Sequence, residues 1–139
     1  MAYNVLIVDD STTMRALIRK VLHMSGFNIG EYHEGGNGQE ALAILQGHWI
    51  DVILTDLHMP EMSGPELVAA LKNNPFLQGI PVVLITTEAR PEVLGPLVDQ
   101  GISGYIKKPF HPEEIKQKLK LIMGEAGGPD DRTLEGCDF

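Results

Sequence analysis

Val5-Leu6-Ile7-Val8-Asp9-Asp10-Ser11-Thr12 is an apolar run that ends in two acids and then offers hydroxyls. Four consecutive aliphatic residues, three of them β-branched, suit a strand buried on both faces. The acids cannot continue such a strand, and Ser11, Thr12 and Thr13 carry oxygens able to cap a helix. Met14, Leu17, Ile18, Val21 and Leu22 follow at helical spacing, which predicts a helix with one buried stripe ending near Ser25-Gly26. The pattern then recurs. Val52-Ile53-Leu54-Thr55 runs into Asp56, Val82-Val83-Leu84-Ile85 into Thr86, and Gly104-Tyr105-Ile106 leads to Lys108-Pro109.

Between these runs the chain reads as alternating elements. Phe27 to Tyr32 is the second strand and Gly35-Gly36-Asn37-Gly38 a loop. Gln39 to Gln46 is a short helix burying Ala41, Leu42 and Leu45, and Ile50 to Thr55 is the third strand. Pro60 and Gly64 exclude regular helix from His58 to Gly64. Pro65 suits a first helical turn, where its missing N–H costs nothing, and Leu67, Val68 and Leu71 form that helix's inner face. Asn73 to Gly79 is loop, Pro81 to Thr86 strand, Pro91 to Gln100 helix, and Gly104 to Ile106 the fifth strand. Pro112 to Met123 is the last helix, with Ile115, Leu119 and Ile122 inward. The order βαβαβαβαβα implies an α/β domain with a doubly wound parallel five-stranded sheet and five helices. In such sheets ligands bind outside the carboxyl ends of the strands. Asp9, Asp10, Asp56, Thr86 and Lys108 would all converge there. Crowded carboxylates repel unless a cation neutralises them, and hard oxygen ligands suit Mg²⁺.

Composition narrows the function classes. The 139 residues carry a net charge of −8, which argues against non-specific nucleic-acid binding and anionic membrane surfaces. Half of that charge falls in residues 124–139, a glycine-rich acidic stretch expected to be a flexible tail after a domain spanning 1–123. No apolar stretch approaches the roughly 20 residues that span a bilayer. The lone Cys137 cannot form an internal disulfide, which fits a reducing cytoplasm. The five histidines (His23, His33, His48, His58, His111) show no ligand spacing, so solvated or capping roles are expected for all but His58.

Taken singly, the motifs are weak: an Asp-Asp pair after a strand is more often a cap, Lys-Pro more often a surface turn. Their order is specific. Asp9-Asp10, Asp56 followed by Met59-Pro60, Thr86 and Lys108-Pro109 together resemble the receiver domains of two-component response regulators. The flanking stretches Val8-Asp9-Asp10-Ser11-Thr12-Thr13-Met14-Arg15 and Ile102-Ser103-Gly104-Tyr105-Ile106-Lys107-Lys108-Pro109-Phe110 are most similar to the CheY-like chemotaxis type. The resemblance implies a flavodoxin-like fold with strand order 2-1-3-4-5, an order that comes with the resemblance and not from these residues. It implies that Asp56 accepts a phosphoryl group from a histidine kinase or phosphotransfer protein. Mg²⁺ would be held by Asp9, Asp10, Asp56 and the backbone carbonyl of His58.

The resemblance further implies that Lys108 stabilises the phosphoryl group and that Pro109 follows a cis bond. Thr86 and Tyr105 would form a switch driving a downstream protein on or off the fourth helix, fifth strand and fifth helix. Read without the family, Tyr105 simply covers the sheet edge. His58, Thr87, Glu88 and Pro109 would tune access to the pocket and the lifetime of the acyl phosphate. Chemistry agrees at Asp56, since a carboxylate ionised at neutral pH is a nucleophile needing no base. The chain is expected to be a signalling protein, catalysing only its own phosphorylation and dephosphorylation. Two other classes compete. A haloacid-dehalogenase-type phosphatase also uses an aspartate after a first strand, but its two acids are separated by one residue, whereas Asp9 and Asp10 are adjacent. A binding module that is never phosphorylated typically loses a pocket residue, and none is lost here.

Two departures from the family pattern stand out. The position after Thr86 is usually very small, and here it is Thr87. Gly95-Pro96 falls inside the fourth helix, where proline deletes a hydrogen bond at a cost of about 3 kcal/mol. A shortened, kinked or shifted helix is expected there.

Overall fold

The computed structural model describes residues 2–87 and 90–123; the expected tail at 124–139 and Glu88 lie outside them. The elements in chain order are β1 (Tyr3–Val8), α1 (Thr12–Ser25), β2 (Ile29–Gly35), α2 (Gly38–Gly47) and β3 (Val52–Thr55). They continue with α3 (Gly64–Lys72), β4 (Val82–Thr86), α4 (Pro91–Gln100), β5 (Gly104–Lys107) and α5 (Pro112–Met123). The strands form one sheet in the order β2-β1-β3-β4-β5, every neighbouring pair parallel. This is the flavodoxin-like arrangement.

Side-chain alternation along each strand divides the core in two. Leu6, Val8, Ile53, Val82 and Leu84 face one way, onto Ala41 and Leu45 of α2, Leu67, Val68 and Leu71 of α3, and Leu94 and Leu97 of α4. Val5, Ile7, Val52, Leu54, Val83, Ile85 and Ile106 face the other way, onto Ile18, Val21 and Leu22 of α1 and Ile115 and Leu119 of α5. Burial on both faces is why β1, β3 and β4 read as unbroken aliphatic runs. Truncating one of the fully buried residues, such as Ile53 or Leu54, would cost about 2–5 kcal/mol.

Helix starts follow local chemistry. Ser11 Oγ accepts the Met14 N–H, Asn37 Oδ1 accepts the Glu40 N–H, and Ser63 with Glu66 forms a reciprocal capping box on α3. Gly26, at φ 80°, closes α1 in the left-handed conformation that glycine adopts without a Cβ penalty.

Three expectations need correction. The second strand is Ile29–Gly35 and not Phe27–Tyr32. Phe27 instead belongs to the α1–β2 turn, its N–H bonded to Ser25 Oγ and its ring stacked on Tyr3. His33, Glu34 and Gly35 extend the strand because pairing with Leu6, Ile7 and Val8 compensates for thin apolar content. Leu17 is 46% exposed and not part of the buried stripe of α1. Of the shortened, kinked or shifted fourth helix expected, the shortening and the shift do not occur: α4 occupies Pro91–Gln100 with Pro96 inside. Pro96 removes one bond, but buried Leu94 and Leu97 anchor the helix on either side, and tertiary packing outweighs the local penalty. Among the described residues, no helix is long and apolar enough to cross a membrane.

Candidate functional site

The register of the sheet brings the acids together. Val8 of β1 lies opposite Thr55 of β3, so Asp9 and Asp56 are each the first residue beyond a paired position. Backbone bonds fix both. The Asp56 N–H donates to the Val8 carbonyl at 2.9 Å, and the Asp9 N–H donates to the Gly35 carbonyl at 3.1 Å. Asp9, Asp10 and Asp56 each present a carboxylate oxygen within 4.8 Å of the others, an arrangement able to hold a divalent cation.

Their surroundings differ. Asp9 is buried, with one oxygen accepting the Ser11 N–H at 2.9 Å and the other 3.4 Å from Lys108 Nζ. Asp10 is exposed. Asp56 Oδ1 accepts the Leu57 N–H at 2.8 Å and lies 3.7 Å from Lys108 Nζ. Burial pushes the Asp56 carboxyl above the usual carboxylate range; Lys108 and the Leu57 N–H oppose this, while Asp9 and Asp10 add to it. One ammonium faces three carboxylates, so the crevice attracts a further cation.

Lys108 sits just beyond the end of β5, anchored to the neighbouring strand. Its N–H donates to the Thr86 carbonyl at 2.8 Å, and the Lys108-Pro109 bond is cis. Thr86 is buried at the end of β4, while Thr87 is exposed. Thr87 lines an apolar cavity of about 350 Å³ with Met14, Leu17, Val21, Phe110 and the Lys108-Pro109 turn. That cavity accounts for the exposure of Leu17. Tyr105 on β5 is 39% exposed, with the Lys118 ammonium 6.0 Å from its ring. His58 is exposed in the β3–α3 loop, two residues beyond Asp56, and Lys107 is exposed as its alternation with Ile106 implies.

Two parts of the site were missed from sequence. Arg15 of α1, with only 16% of its side chain exposed, donates from Nη1 to the Asp9 carbonyl at 2.5 Å and from Nε to Glu34 at 3.0 Å. Arg19 holds the second oxygen of Glu34 at 3.0 Å. The available signal was a cation in the early part of a helix, where the dipole disfavours it unless it has a partner elsewhere. The second part is Gly64, whose N–H donates to the Leu57 carbonyl at 2.9 Å. A Cβ there would lie 2.5 Å from the Asp56 carbonyl oxygen, so only glycine lets α3 start this close to the Asp56–Leu57 peptide.

Residues 5–120 match the model of the response regulator receiver domain. The chain belongs to that family. As a receiver, it is 34% identical over 124 residues to the chemotaxis protein CheY of Pseudomonas aeruginosa, covering 89% of this chain and 98% of the relative. It is 36% identical over 120 residues to CheY1 of Helicobacter pylori, covering 86% and 95%. Among solved structures, the receiver resembles the chemotaxis response regulator CheY4 of Vibrio cholerae with a TM-score of 0.78 and 34% identity, covering 88% and 99%. A putative response regulator from Chloroflexus aurantiacus superposes with a TM-score of 0.80 at 25% identity, covering 90% and 100%. This receiver is thus CheY-like in sequence and in fold.

Proposed function

We propose that this receiver is phosphorylated on Asp56 and signals by changing the surface it offers to a protein partner. The observation that carries this reading is the meeting of three carboxylates and Lys108 at the ends of three parallel strands. Asp9, Asp10, Asp56 and the backbone carbonyl of His58 would hold Mg²⁺, for which an all-oxygen set fits. When bound, the ion supplies charge neutralisation for the transferring phosphoryl oxygens.

The chain's own residues do the rest. An Asp56 oxygen attacks phosphorus as the P–N bond of a phosphohistidine donor breaks, and the departing imidazole keeps the bonding pair and takes a proton. Lys108, already 3.7 Å from Asp56, makes a charge-assisted bond to the new phosphoryl group. That group then draws the Thr86 hydroxyl toward it, and Tyr105 turns from its half-exposed position into the space released beside β4. The surface of α4, β5 and α5 changes with it, which is a local charge change biasing a two-state element. His58 and Glu88 limit the approach of water to the acyl phosphate, and Thr87 narrows access to the crevice. A histidine kinase or phosphotransfer protein is the upstream partner, a protein the downstream one, and the reaction is confined to the protein's own aspartate.

Transfer from a radiolabelled phosphohistidine domain tests this reading. Mg²⁺-dependent label is expected in the chain, removed by base and by hydroxylamine as for an acyl phosphate. Label that resists both, or that appears equally in an Asp56→Asn variant, would overturn it.

A further inference from the structure

The histidines show no ligand spacing along the chain, yet the fold brings two of them together. His33 of β2 and His48 at the carboxyl cap of α2 have ring centroids 4.3 Å apart, tilted by 39°. Glu31 and His33 are two apart on β2 and so share a face. That face carries α2, because Gly35, next in the alternation, sits against the Ala41 backbone. His33 Nε2 is 2.9 Å from Glu31 Oε1. A carboxylate only accepts, so Nε2–H is the donor, and neutral His33 then keeps its lone pair on Nδ1. A carboxylate behind one ring nitrogen is how metal-bound histidines are commonly oriented and made more basic.

We propose that His33 and His48 form a second cation site, for a borderline-soft divalent ion such as Zn²⁺, outside the acidic crevice. Imidazole nitrogens select Zn²⁺, Cu²⁺ or Ni²⁺ over Mg²⁺. Two imidazoles on one tetrahedral ion have centroids about 5 Å apart, given Zn–N bonds of about 2.0–2.1 Å. The pair must therefore open by about 1 Å, and the His48 ring must turn so that its in-plane lone pair meets that of His33. His48 is exposed and can turn to do so, while His33, 18% exposed, is held by Glu31. The carboxyl end of α2 adds partial negative charge, and no basic side chain occupies its last turn. Glu31 stands behind His33 and does not complete a three-ligand cluster, so water fills the remaining positions.

The site has a built-in reporter. Trp49, the chain's single tryptophan, follows His48 directly and is 78% exposed. The full chain carrying Cys137→Ser, which removes a competing thiol, is titrated in millimolar Mg²⁺ to keep the crevice filled. Zn²⁺ is followed by calorimetry and Cu²⁺ by quenching of Trp49. One equivalent of Zn²⁺ is expected, weakened at least about tenfold by His33→Gln or His48→Gln and by a similar factor by Glu31→Gln. Cu²⁺ should quench Trp49 in the parent and not in either histidine variant, with unfolding midpoints unchanged in His48→Gln. Absence of Zn²⁺ binding, or binding and quenching that survive both histidine substitutions, would overturn the proposal.

Discussion

Replacing Gly64 by alanine should loosen the seat of Asp56. The new Cβ would stand 2.5 Å from the Asp56 carbonyl oxygen, 3.0 Å from Leu57 Cα and 3.1 Å from the Leu57 carbonyl oxygen. All three are backbone atoms, so no side chain can swing away. Relief requires a shift of several tenths of an ångström between the start of α3 and the Asp56–Leu57 peptide. That strains the 2.9 Å bond from the Gly64 N–H to the Leu57 carbonyl. Overpacking of this kind costs about 1–3 kcal/mol. Alanine recovers at most about 1 kcal/mol through helix propensity at this terminal position. The net loss is about 1–2 kcal/mol, and Tm should fall by roughly 3–10 °C. Gly47→Ala is the control, because nothing lies within 4 Å of a Cβ there and the residue closes α2 without a positive φ. It should gain up to about 1 kcal/mol. Thermal and urea unfolding of both variants, with a Mg²⁺ titration, read the effect. A Gly64→Ala protein as stable as the parent, with unchanged Mg²⁺ affinity, would show that the close approach of α3 does not hold Asp56 in place.

Three further outcomes are expected. The raised Asp56 carboxyl pKa means that the parent loses stability as pH rises from the unfolded value, about 3.9, through the higher folded one. In EDTA, Asp56→Asn should therefore melt higher than the parent at neutral pH, the difference vanishing in acid; a lower Tm at pH 7 would contradict this. Arg15→Ala should cost about 1–2 kcal/mol in urea unfolding and weaken Mg²⁺ binding several-fold, because the Asp9 carbonyl loses its clamp. An unchanged Mg²⁺ midpoint would limit Arg15 to tying α1 to β2. Replacing both His58 and Glu88 by alanine should alter the rate of phosphoryl loss, followed by the decay of label after removal of donor, and an unaltered rate would remove them from that role.

Much of the fold was legible because the buried strands and helices repeat their apolar residues at different periods. β1, β3 and β4 are aliphatic on both faces, and their ends marked Asp9, Asp56 and Thr86 without any knowledge of pairing. Edge strand β2 was harder, since pairing with β1 carries it through His33, Glu34 and Gly35. Pro96 is a case of the opposite sense, because its local penalty is legible in the sequence while the burial of Leu94 and Leu97 that opposes it is not. In the site, Arg15 and Gly64 act on backbone atoms of Asp9 and Asp56, contacts between elements that no spacing rule encodes. The approach of His33 to His48 is of the same kind.

Phosphorylation of Asp56 is read by intact-protein mass after incubation with acetyl phosphate and Mg²⁺. One phosphoryl adduct is expected, mapping to Asp56, absent in EDTA and absent from Asp56→Asn. No adduct in folded protein with either acetyl phosphate or a phosphohistidine donor, or an adduct that persists in Asp56→Asn, would contradict it.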